Sequence, residues 1–419
     1  MTVQTTANLS GALLALVYKK KYELGAQRAV VYDQFAVDYT SLGADGKSMD
    51  ELMRGTAVDI PFLSEMSPGV TAISQTADVT PQSLTDAHSS VTHTSRGEAL
   101  QWSQQLDIET YTDYTAKAMG IVGRCAQESI ELLAQTAACW GTWVEYVGGT
   151  ARASQDADTS TMNASDAIFR KYHGEMLDML VPGFLDSNGE ANTWGAVMHP
   201  FVFHDIAESG NISSIGDYQQ AGIHLNYELA KIGPFRLVVT PWSKVFYGAG
   251  ADHSSNNFAT TLSAATTPLA TTLSTTADEQ ANIAHGLFWN IGTEETTAGG
   301  VFYPTNERIK PISVSGATTV AGNLVFVGQG PNGGLRYAHD ILSGFNNNDS
   351  VYPIIFAGPE SLVRVYATDV GQWGKTVGPK ITGILDQFTS LGFKYWGGYG
   401  RIAENRLLRA EVSVSYEKS

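Results

Sequence analysis

Residues 109–141 read ETYTDYTAKAMGIVGRCAQESIELLAQTAACWG, and their apolar spacing is typical of one long amphipathic helix. The predicted apolar stripe consists of Tyr111, Tyr114, Ala118, Val122, Cys125, Ser129, Leu133, Ala137 and Trp140. At about 1.5 Å per residue such a helix spans about 50 Å, which is longer than an ordinary globular helix. We therefore predict a helix that braces a whole subunit, with Gly120 and Gly123 as points where it can bend.

Two stretches before this helix alternate between apolar and polar residues, as half-buried strands do. The apolar positions are Val58, Ile60 and Phe62 in the first stretch and Leu100, Trp102, Leu106 and Ile108 in the second. Residues 64–89 lie between them without a clear period, and so long a connection is commonly functional. We predict a protruding hairpin that lies on another surface, because an isolated hairpin is only marginally stable in water.

The chain before the hairpin is predicted to form helices over residues 8–35 and 48–54, which we interpret as an arm lying on something else. The apolar run at 9–18 is about half of the ~20 residues that a helix needs to cross a bilayer. Lys19, Lys20 and Lys21 follow this run, whereas the basic residues of a signal peptide precede its apolar run. We expect neither secretion nor contact with a membrane.

Beyond residue 148 the pattern is mixed, which predicts an α+β fold. A helix is expected over 164–181, with Ser165 as its cap and Pro182 as its stop. Strands are predicted over 194–197, 235–240, 324–327, 351–356 and 362–366. A last strand is predicted to place Ala410, Val412, Val414 and Tyr416 opposite Arg409, Glu411, Ser413 and Ser415. Residues 254–276, where ATTLS occurs at 259–263 and again at 270–274, are interpreted as an exposed insertion.

The charge balance excludes a chain that holds nucleic acid by bulk positive charge. There are 26 Lys and Arg residues against 42 Asp and Glu, a formal net charge of −16. Only 16% of the residues are charged, and surfaces buried between subunits are depleted in charge. This composition favours assembly.

The sequence motifs with possible chemistry are incomplete. Residues 328–333, GQGPNG, match a dinucleotide pattern, but Pro331 predicts a turn where the motif requires a helix. Residues 374–376, GKT, lack the upstream glycine of a phosphate loop, since Asp369 occupies that position. His199 and His204 have no evident third ligand, which favours a structural role over a metal site. We therefore expect no catalytic residue, no cofactor and no metal.

The two cysteines, Cys125 and Cys139, fall on the same predicted helix. Fourteen residues at about 1.5 Å each separate them by about 21 Å, which is too far for a disulfide. We expect free thiols, as in a reducing cytoplasm.

Aromatic and basic residues cluster towards the C-terminus. They are Trp373, Phe388, Phe393, Tyr395, Trp396, Tyr399, Arg401, Arg406 and Arg409. Such a set can stack single-stranded nucleic acid. The net charge of −16 instead favours core packing and arginines at subunit interfaces.

Three landmarks resemble one known family. They are GTAVDIPFLS at 55–64, YELAKIGPFRLVVTP at 227–241, and VGPKITGILDQF at 377–388 continuing to WGGYGRIAENRLLR at 396–409. The sequence resembles the major capsid protein of tailed bacteriophages, in the subgroup typified by the coliphage N-four capsid protein. The resemblance implies the Hong Kong 97 capsid fold. The insertion at 254–276 has no counterpart in this pattern.

The resemblance also implies a domain organisation. Residues 1–54 would be an N-terminal arm, 55–106 an extended loop hairpin, and 107–193 the spine helix and peripheral domain. Residues 194–356 would be an axial domain with the Ser/Thr-rich insertion near 250–300. Residues 357–419 would return to the peripheral domain and end in a C-terminal strand.

The function implied is a structural protein that self-assembles into the hexamers and pentamers of an icosahedral shell. The shell would enclose double-stranded phage DNA without sequence-specific binding, in a virion assembled in the host bacterial cytoplasm. Scaffolding, portal and decoration proteins would be its partners. Two alternatives stay open: an encapsulin-like shell around a cargo enzyme, and a secreted β-rich hydrolase or adhesin.

Assembly contacts are expected from two sets of residues. The extended loop and arm supply Leu13, Tyr18, Phe35, Met66, Pro68, Ile73, Val79 and Leu84. The C-terminal region supplies Trp396, Tyr399, Arg401, Glu404, Arg406 and Arg409.

Overall fold

A computed structural model describes most of the chain between residues 31 and 417. The described residues are 31–39, 57–64, 66–68, 81–109, 114–157, 165–185, 191–208, 213–214, 225, 227–251, 259–276, 289–293, 305–314, 319–325, 334–346, 348–366, 374–382 and 387–417. The predicted arm helices lie outside them, apart from the end of the first. There Tyr32–Phe35 form a 3-10 turn, and a strand follows at once.

Helices form only a small part of the described structure. They are α1 (Gln104–Glu109), α2 (Tyr114–Cys139), α3 (Asp166–Asp178) and α4 (Pro200–Glu208). Further 3-10 turns lie at Arg152–Ser154, Glu404–Arg406 and Ser415–Glu417.

Strands are the dominant element. In chain order they are β1 (Ala36–Asp38), β2 (Ala57–Leu63), β3 (Asp86–Thr92), β4 (Thr94–Ser103), β5 (Val144–Tyr146), β6 (Phe184–Leu185), β7 (Ala191–Met198), β8 (Ser213–Ser214), β9 (Glu228–Ile232), β10 (Phe235–Val239), β11 (Ala259–Thr261), β12 (Thr272–Ser274), β13 (Trp289–Gly292), β14 (Glu307–Val314), β15 (Thr319–Val325), β16 (Gly344–Asn346), β17 (Tyr352–Ala357), β18 (Leu362–Tyr366), β19 (Lys375–Thr382), β20 (Phe388–Arg401) and β21 (Leu407–Val412).

The chain divides into two compact units. The first contains Met1–Ala134 and Glu360–Ala403, and the second contains Gln135–Pro359 and Glu404–Ser419. Helix α2 therefore contributes its residues up to Ala134 to the first unit and its last turn to the second.

The first unit is built on a five-stranded sheet around β20. Strand β20 pairs with β4 over ten positions, with β19 over its first half and with β18 near its end. Strand β1 adds to β18 in parallel. Trp102, Leu391 and Phe393 on one face of this sheet pack against Ala118 and Val122 of α2. Helix α2 thus covers one face.

A two-stranded hairpin, β2 and β3, completes the first unit. Its register runs from Ala57 opposite Thr92 to Leu63 opposite Asp86. The predicted alternation is confirmed, because Val58 and Ile60 are buried and Phe62 is partly buried. Together with Val91 they form a cluster with Val363, Val365 and Ile402, so the base of the hairpin packs on the first unit's own sheet.

The predicted partner of β2 was wrong. Residues 100–108 do not pair with β2, because β3 does, and β4 pairs with β20 instead. Strand β4 ends at Ser103, and Leu106 lies in α1. The sequence pattern failed here because Ser, His and Thr dominate β3, so its buried face is marked by Val91 alone.

The long helix was correctly predicted, but its buried stripe was misplaced in its second half. Ala118 and Val122 are buried as predicted, and the buried row then continues with Ala126, Ile130, Ala134 and Ala138. The predicted positions Cys125, Ser129, Leu133 and Ala137 are only partly buried, and Trp140 is 58% exposed. Alanine occupies four of the six positions in this row, namely 118, 126, 134 and 138, and a hydrophobicity pattern gives so small a side chain little weight.

The second unit is built on an eight-stranded sheet with the order β5-β21-β17-β7-β10-β9-β8, and β6 pairs with β7. Helices α3 and α4 pack on one face of this sheet. Phe169, Phe235 and Phe356 meet edge to face at 5.0–5.7 Å between ring centroids, a favoured aromatic geometry. The predicted helix at 164–181 and the predicted strands at 194–197, 235–240 and 351–356 are confirmed here, and the strand at 362–366 is confirmed in the first unit.

The C-terminal strand is more buried than predicted. Strand β21 lies between β17 and β5 in the second unit, and the return of residues 357–419 to a peripheral domain stays a prediction. All six of its residues are buried, including Arg409 and Glu411 from its predicted polar face. An interior strand is covered on both faces. The alternation of apolar and polar residues along β21 therefore reflects an apolar and a polar surrounding, both of them buried.

We predicted that the Ser/Thr-rich stretch is an exposed insertion, but it also contributes two strands to a sheet. Its two ATTLS copies supply β11 and β12, the outer strands of a six-stranded sheet with the order β11-β16-β13-β14-β15-β12. Leu262 and Leu273, one from each copy, are buried with Trp289 and Ile291. The leucine of each repeat therefore anchors its strand. The strand predicted at 324–327 corresponds to the end of β15, and residues 326–327 lie outside the described part of the chain.

Gly398 is required for the hairpin to pack on the sheet, because a Cβ atom there would overlap the carbonyl oxygen of Thr92 at the end of β3. We expect Gly398→Ala to lower the free energy of unfolding by about 1–3 kcal/mol in urea unfolding, as overpacking does. The matched control is Gly120→Ala in α2, where a Cβ meets nothing within 4 Å. This control should stabilise the chain by about 0.5–1 kcal/mol. Equal effects of the two changes would contradict the packing described.

Candidate interaction surface

The outer half of the hairpin exposes large apolar side chains. Leu63 is 69% exposed, Met66 65% and Leu84 53%, whereas Val58 and Ile60 at the base are buried. The two halves of the hairpin stay connected beyond β2 and β3. The Ser64 N–H donates to the Thr85 carbonyl, and the Ser67 N–H donates to the side-chain Oε1 of Gln82, both at 2.9 Å. The described part of the outer hairpin, residues 64, 66–68 and 81–85, therefore exposes apolar side chains.

The hairpin is also acidic. Residues 57–92 contain Asp59, Glu65, Asp78 and Asp86 and no lysine or arginine. Asp59 and Asp86 are exposed on the strands themselves.

The five-stranded sheet has a second face that α2 does not cover. Directly paired residues point to the same side of a sheet. The pairs Lys375 with Lys394, Val377 with Gly392, and Lys380 with Ser390 therefore share this face with Phe388 and Trp396. Strand β4 contributes small or polar residues to it, namely Ser95, Gly97, Ala99, Gln101 and Ser103.

We call this surface the lysine face and define it by Lys375, Val377, Lys380, Phe388, Lys394 and Trp396. All six side chains are exposed. The positions of β4, β19 and β20 on this face carry three lysines and no Asp or Glu. A surface that carries only positive charges is unusual in a chain of net charge −16.

The lysine face is continuous with the part of the sheet that the hairpin base covers. Gly398 and Gly400 follow Trp396 along the same side of β20 and lie beneath Thr92 and Val91. The sheet thus carries the base of its own hairpin at one end and an open basic and apolar surface at the other.

The side chain of Trp396 is fixed by two contacts. Its indole N–H donates to Nδ1 of His93 at 3.1 Å, and the Lys394 ammonium lies 5.6 Å from the ring centroid. A side chain that is both exposed and fixed can contact a partner with little loss of conformational entropy.

The segment 31–39 is anchored on the opposite side of the first unit by buried charges. Both carboxylate oxygens of Asp33 accept from Arg364 Nη1, at 2.7 and 2.6 Å, and the Tyr399 hydroxyl donates to Asp33 Oδ1 at 2.8 Å. On α2, Glu131 Oε1 accepts from the backbone N–H groups of Val31 and Tyr32 at 2.9 and 2.8 Å. Burial raises the pKa of Glu131 to about 7, against backbone hydrogen bonds that lower it.

The residues predicted from the loop and arm fall into three groups. Leu13, Tyr18, Ile73 and Val79 lie outside the described residues. Met66, Pro68 and Leu84 are exposed on the outer hairpin. Phe35 is 2% exposed within the first unit, so a contact with a neighbour is not available to it. This corrects the prediction for Phe35, whose 3-10 turn packs inwards.

The residues predicted from the C-terminal region also separate. Trp396 is exposed on the lysine face, whereas Tyr399 and Arg401 are half-buried at the end of β20. Glu404 is exposed and accepts from the N–H and hydroxyl of Thr142, both at 2.9 Å, and Arg406 is half-buried. Arg409 is fully buried in the second unit and cannot reach a neighbour, which corrects that prediction.

Sequence reasoning missed the lysine face. Lys375, Lys380 and Lys394 come from two strands, and only the pairing register of β19 with β20 brings them together. Trp396 was the one member of the face among the residues predicted to form assembly contacts. The order Lys375-Thr376-Val377 could have predicted a strand with Lys375 and Val377 on the same face.

The two histidines considered as metal ligands, His199 and His204, lie in different environments. His199 is held in an aromatic setting, with ring centroids 4.8 Å from Phe201 and 5.2 Å from Tyr352. Burial lowers its pKa to about 3, and His204 is exposed. Within the described ranges no group of three or more His, Cys, Asp or Glu residues could hold a metal ion. In the same ranges, no helix has the length and apolarity needed to span a bilayer.

Comparison with known proteins gives a fold but no sequence family. No family model matches the chain, and no curated protein matches it. The capsid of Ralstonia phage GP4 matches with a TM-score of 0.53 and 10% identity, over 86% of this chain and 84% of that chain. The capsid structure of cyanophage P-SCSP1u matches with a TM-score of 0.50 and 9% identity, over 92% and 89%.

The fold is shared with phage capsid proteins. It is a mixed α/β fold with few helices, and the two likenesses extend over most of this chain.

The stability of the first unit should depend on pH through Glu131. The folded state holds its proton up to about pH 7, while the unfolded chain releases it near 4.5, so stability falls as pH rises through this window. We expect Glu131→Gln, which keeps the Oε1 acceptor, to flatten that fall, whose slope is at most about 1.4 kcal/mol per pH unit. Urea unfolding between pH 5 and 8 measures it. The exposed control Glu98→Gln should keep the wild-type profile, and an unchanged profile in Glu131→Gln would refute the assignment.

Proposed function

We propose that this chain is the major capsid protein of a tailed bacteriophage, in the subgroup of the coliphage N-four capsid protein. It is a structural protein with the Hong Kong 97 fold and without catalytic activity. It self-assembles into the hexamers and pentamers of an icosahedral shell. The observation that carries the proposal is the pairing of an acidic, apolar ribbon with a basic, apolar sheet face on the same subunit.

These two surfaces are complementary in charge and in apolar character. The hairpin presents Leu63, Met66 and Leu84 between acidic residues, and the lysine face presents Val377, Phe388 and Trp396 between lysines. The base of the hairpin already lies on its own sheet, so the outer half extends from it. In the proposed contact the outer hairpin of one subunit covers the lysine face of the next.

Such a contact is head-to-tail, because it joins two different surfaces of the same chain. Head-to-tail contacts close into rings when their rotation closes, which produces hexamers and pentamers. Each exposed ion pair contributes only about 0.2–1 kcal/mol. A subunit held by many neighbours at once is stable through their sum.

The net charge of −16 suits a container for nucleic acid. Double-stranded DNA has to slide while it is packaged and ejected, and a strongly basic lining would hold it through its phosphates. We place the protein in the virion, after assembly in the host cytoplasm, with scaffolding, portal and decoration proteins as further partners. Copurifying DNA separates this function from an encapsulin-like shell, which copurifies with a cargo protein.

Charge reversal on the lysine face tests the proposal. We expect Lys375→Glu, Lys380→Glu and Lys394→Glu in one chain to abolish shells, because the acidic hairpin is then repelled. Adding Glu65→Lys and Asp86→Lys, which reverse the acidic residues near Leu63 in the outer hairpin, should restore them. Negative-stain electron microscopy after size-exclusion chromatography scores shells, rings and unassembled subunits, in the presence of the scaffolding protein if the chain requires it.

The matched control reverses Lys117 and Arg124, which are exposed on the α2 side of the unit. It should leave shells intact, and urea unfolding should differ from wild type by less than about 0.5 kcal/mol in every variant. Shells that form equally well with the reversed lysine face would overturn the proposed contact. A wild-type chain that stays monomeric with its scaffolding protein would overturn the proposed function.

A further inference from the structure

The C-terminal end of α3 holds an apolar residue in a strained backbone conformation. Leu180 has a φ of +52°, in the left-handed region that its Cβ atom makes unfavourable. The helix ends in a Schellman motif, because the Val181 N–H donates to the Met176 carbonyl at 3.0 Å and the Leu180 N–H donates to the Leu177 carbonyl at 3.1 Å. Leu180 occupies the position of this motif where helices usually carry glycine or asparagine.

The fold of the subunit does not explain a leucine at this position. The Leu180 side chain is 87% exposed, so it buries almost no apolar surface within its own subunit. The apolar contact that accompanies a Schellman motif is available to Val181, which is buried in the core of the second unit. Leu177, Met179 and Leu185 are exposed in the same short segment. A strained and exposed leucine among exposed apolar residues indicates a contact outside the subunit.

The other side of the same sheet exposes a second apolar site, on β9. Ala230 and Ile232 belong to the core on the side of α3 and α4. Leu229 and Lys231 alternate with them along the strand and therefore point to the opposite side of the sheet. Leu229 is 51% exposed, and Tyr227, just before the strand, is also exposed and has a φ of +62°.

The two sites are complementary in charge. Residues 172–185 contain Glu175 and Asp178 and no lysine or arginine, and Asp178 is exposed. The charged residue on the outward side of β9 is Lys231. An acidic apolar surface and a basic apolar surface on one unit can recognise each other between two copies of the chain.

We propose that Leu177, Met179, Leu180 and Leu185, the Leu180 site, pack on Tyr227, Leu229 and Lys231, the β9 site, of a second copy of this chain. This inference rests on the proposed function, because it adds a contact between second units to the contact of the hairpin with the lysine face. The two sites lie on opposite sides of one sheet, so the contact is head-to-tail and suits a ring. The strain at Leu180 is then the cost of placing an apolar anchor at the end of the helix.

Leu180→Asn should change stability and assembly in opposite directions. Asparagine tolerates the left-handed backbone, so we expect the melting temperature of the unassembled subunit to rise by about 1–3 °C. The yield of shells should fall at least about tenfold, because every contact around the ring loses its apolar anchor. The matched control Leu180→Met keeps both the apolar side chain and the strain, and it should equal the wild type in both measurements.

Co-assembly of two single variants, Leu180→Cys and Leu229→Cys, tests the partner site. A bis-maleimide crosslinker should produce covalent dimers in mixed shells, because a head-to-tail contact brings the two different sites together. Shells of either variant alone, and wild-type shells with Cys125 and Cys139, should give no such dimers on a denaturing gel.

The outcomes separate this inference from the proposed function. Abundant shells of Leu180→Asn, a lowered melting temperature in that variant, or mixed shells without crosslinked dimers would overturn the contact and leave the shell function in place. A wild-type chain that forms no shells with its scaffolding protein would overturn the shell function itself.

Discussion

The packing of the hairpin base onto its own sheet is the contact on which the rest of the first unit depends. Two strands alone are marginally stable in water, so β2 and β3 persist because Val58, Ile60 and Val91 are buried against β18. Glycines at 398 and 400 provide the space. The outer half of the hairpin lies beyond this contact and exposes Leu63, Met66 and Leu84.

The opposite side of the sheet is held by contacts with α2 and with residues 31–33. Helix α2 packs on the sheet through Ala118, Val122 and Ala126. Glu131 on that helix accepts hydrogen bonds from the backbone N–H groups of Val31 and Tyr32. Asp33 is held by Arg364 and Tyr399 at the same time. One face of the sheet is thus covered by α2, and the other carries the hairpin base and the exposed lysine face.

Local pattern predicted the elements better than their partners. The alternation of Val58 and Ile60 and the length of α2 were recognisable because each depends on neighbouring residues in the chain. The pairing of β3 with β2 and the sharing of a face by Lys375 and Lys394 were not, since register between distant strands leaves no local trace. The burial of Arg409 was missed for the same reason, because the strands that flank β21, β17 and β5, lie far away in sequence.

A reconstruction of assembled particles by electron cryomicroscopy tests the central claim most directly. The predicted result is a closed shell in which Leu63, Met66 and Leu84 of one subunit lie on Lys375, Lys380 and Lys394 of its neighbour. A shell in which the lysine face is open to solvent, or is covered by a different segment, would contradict the proposed contact. A uniform population of 45.0 kDa monomers, persisting with the scaffolding protein, would contradict the shell itself.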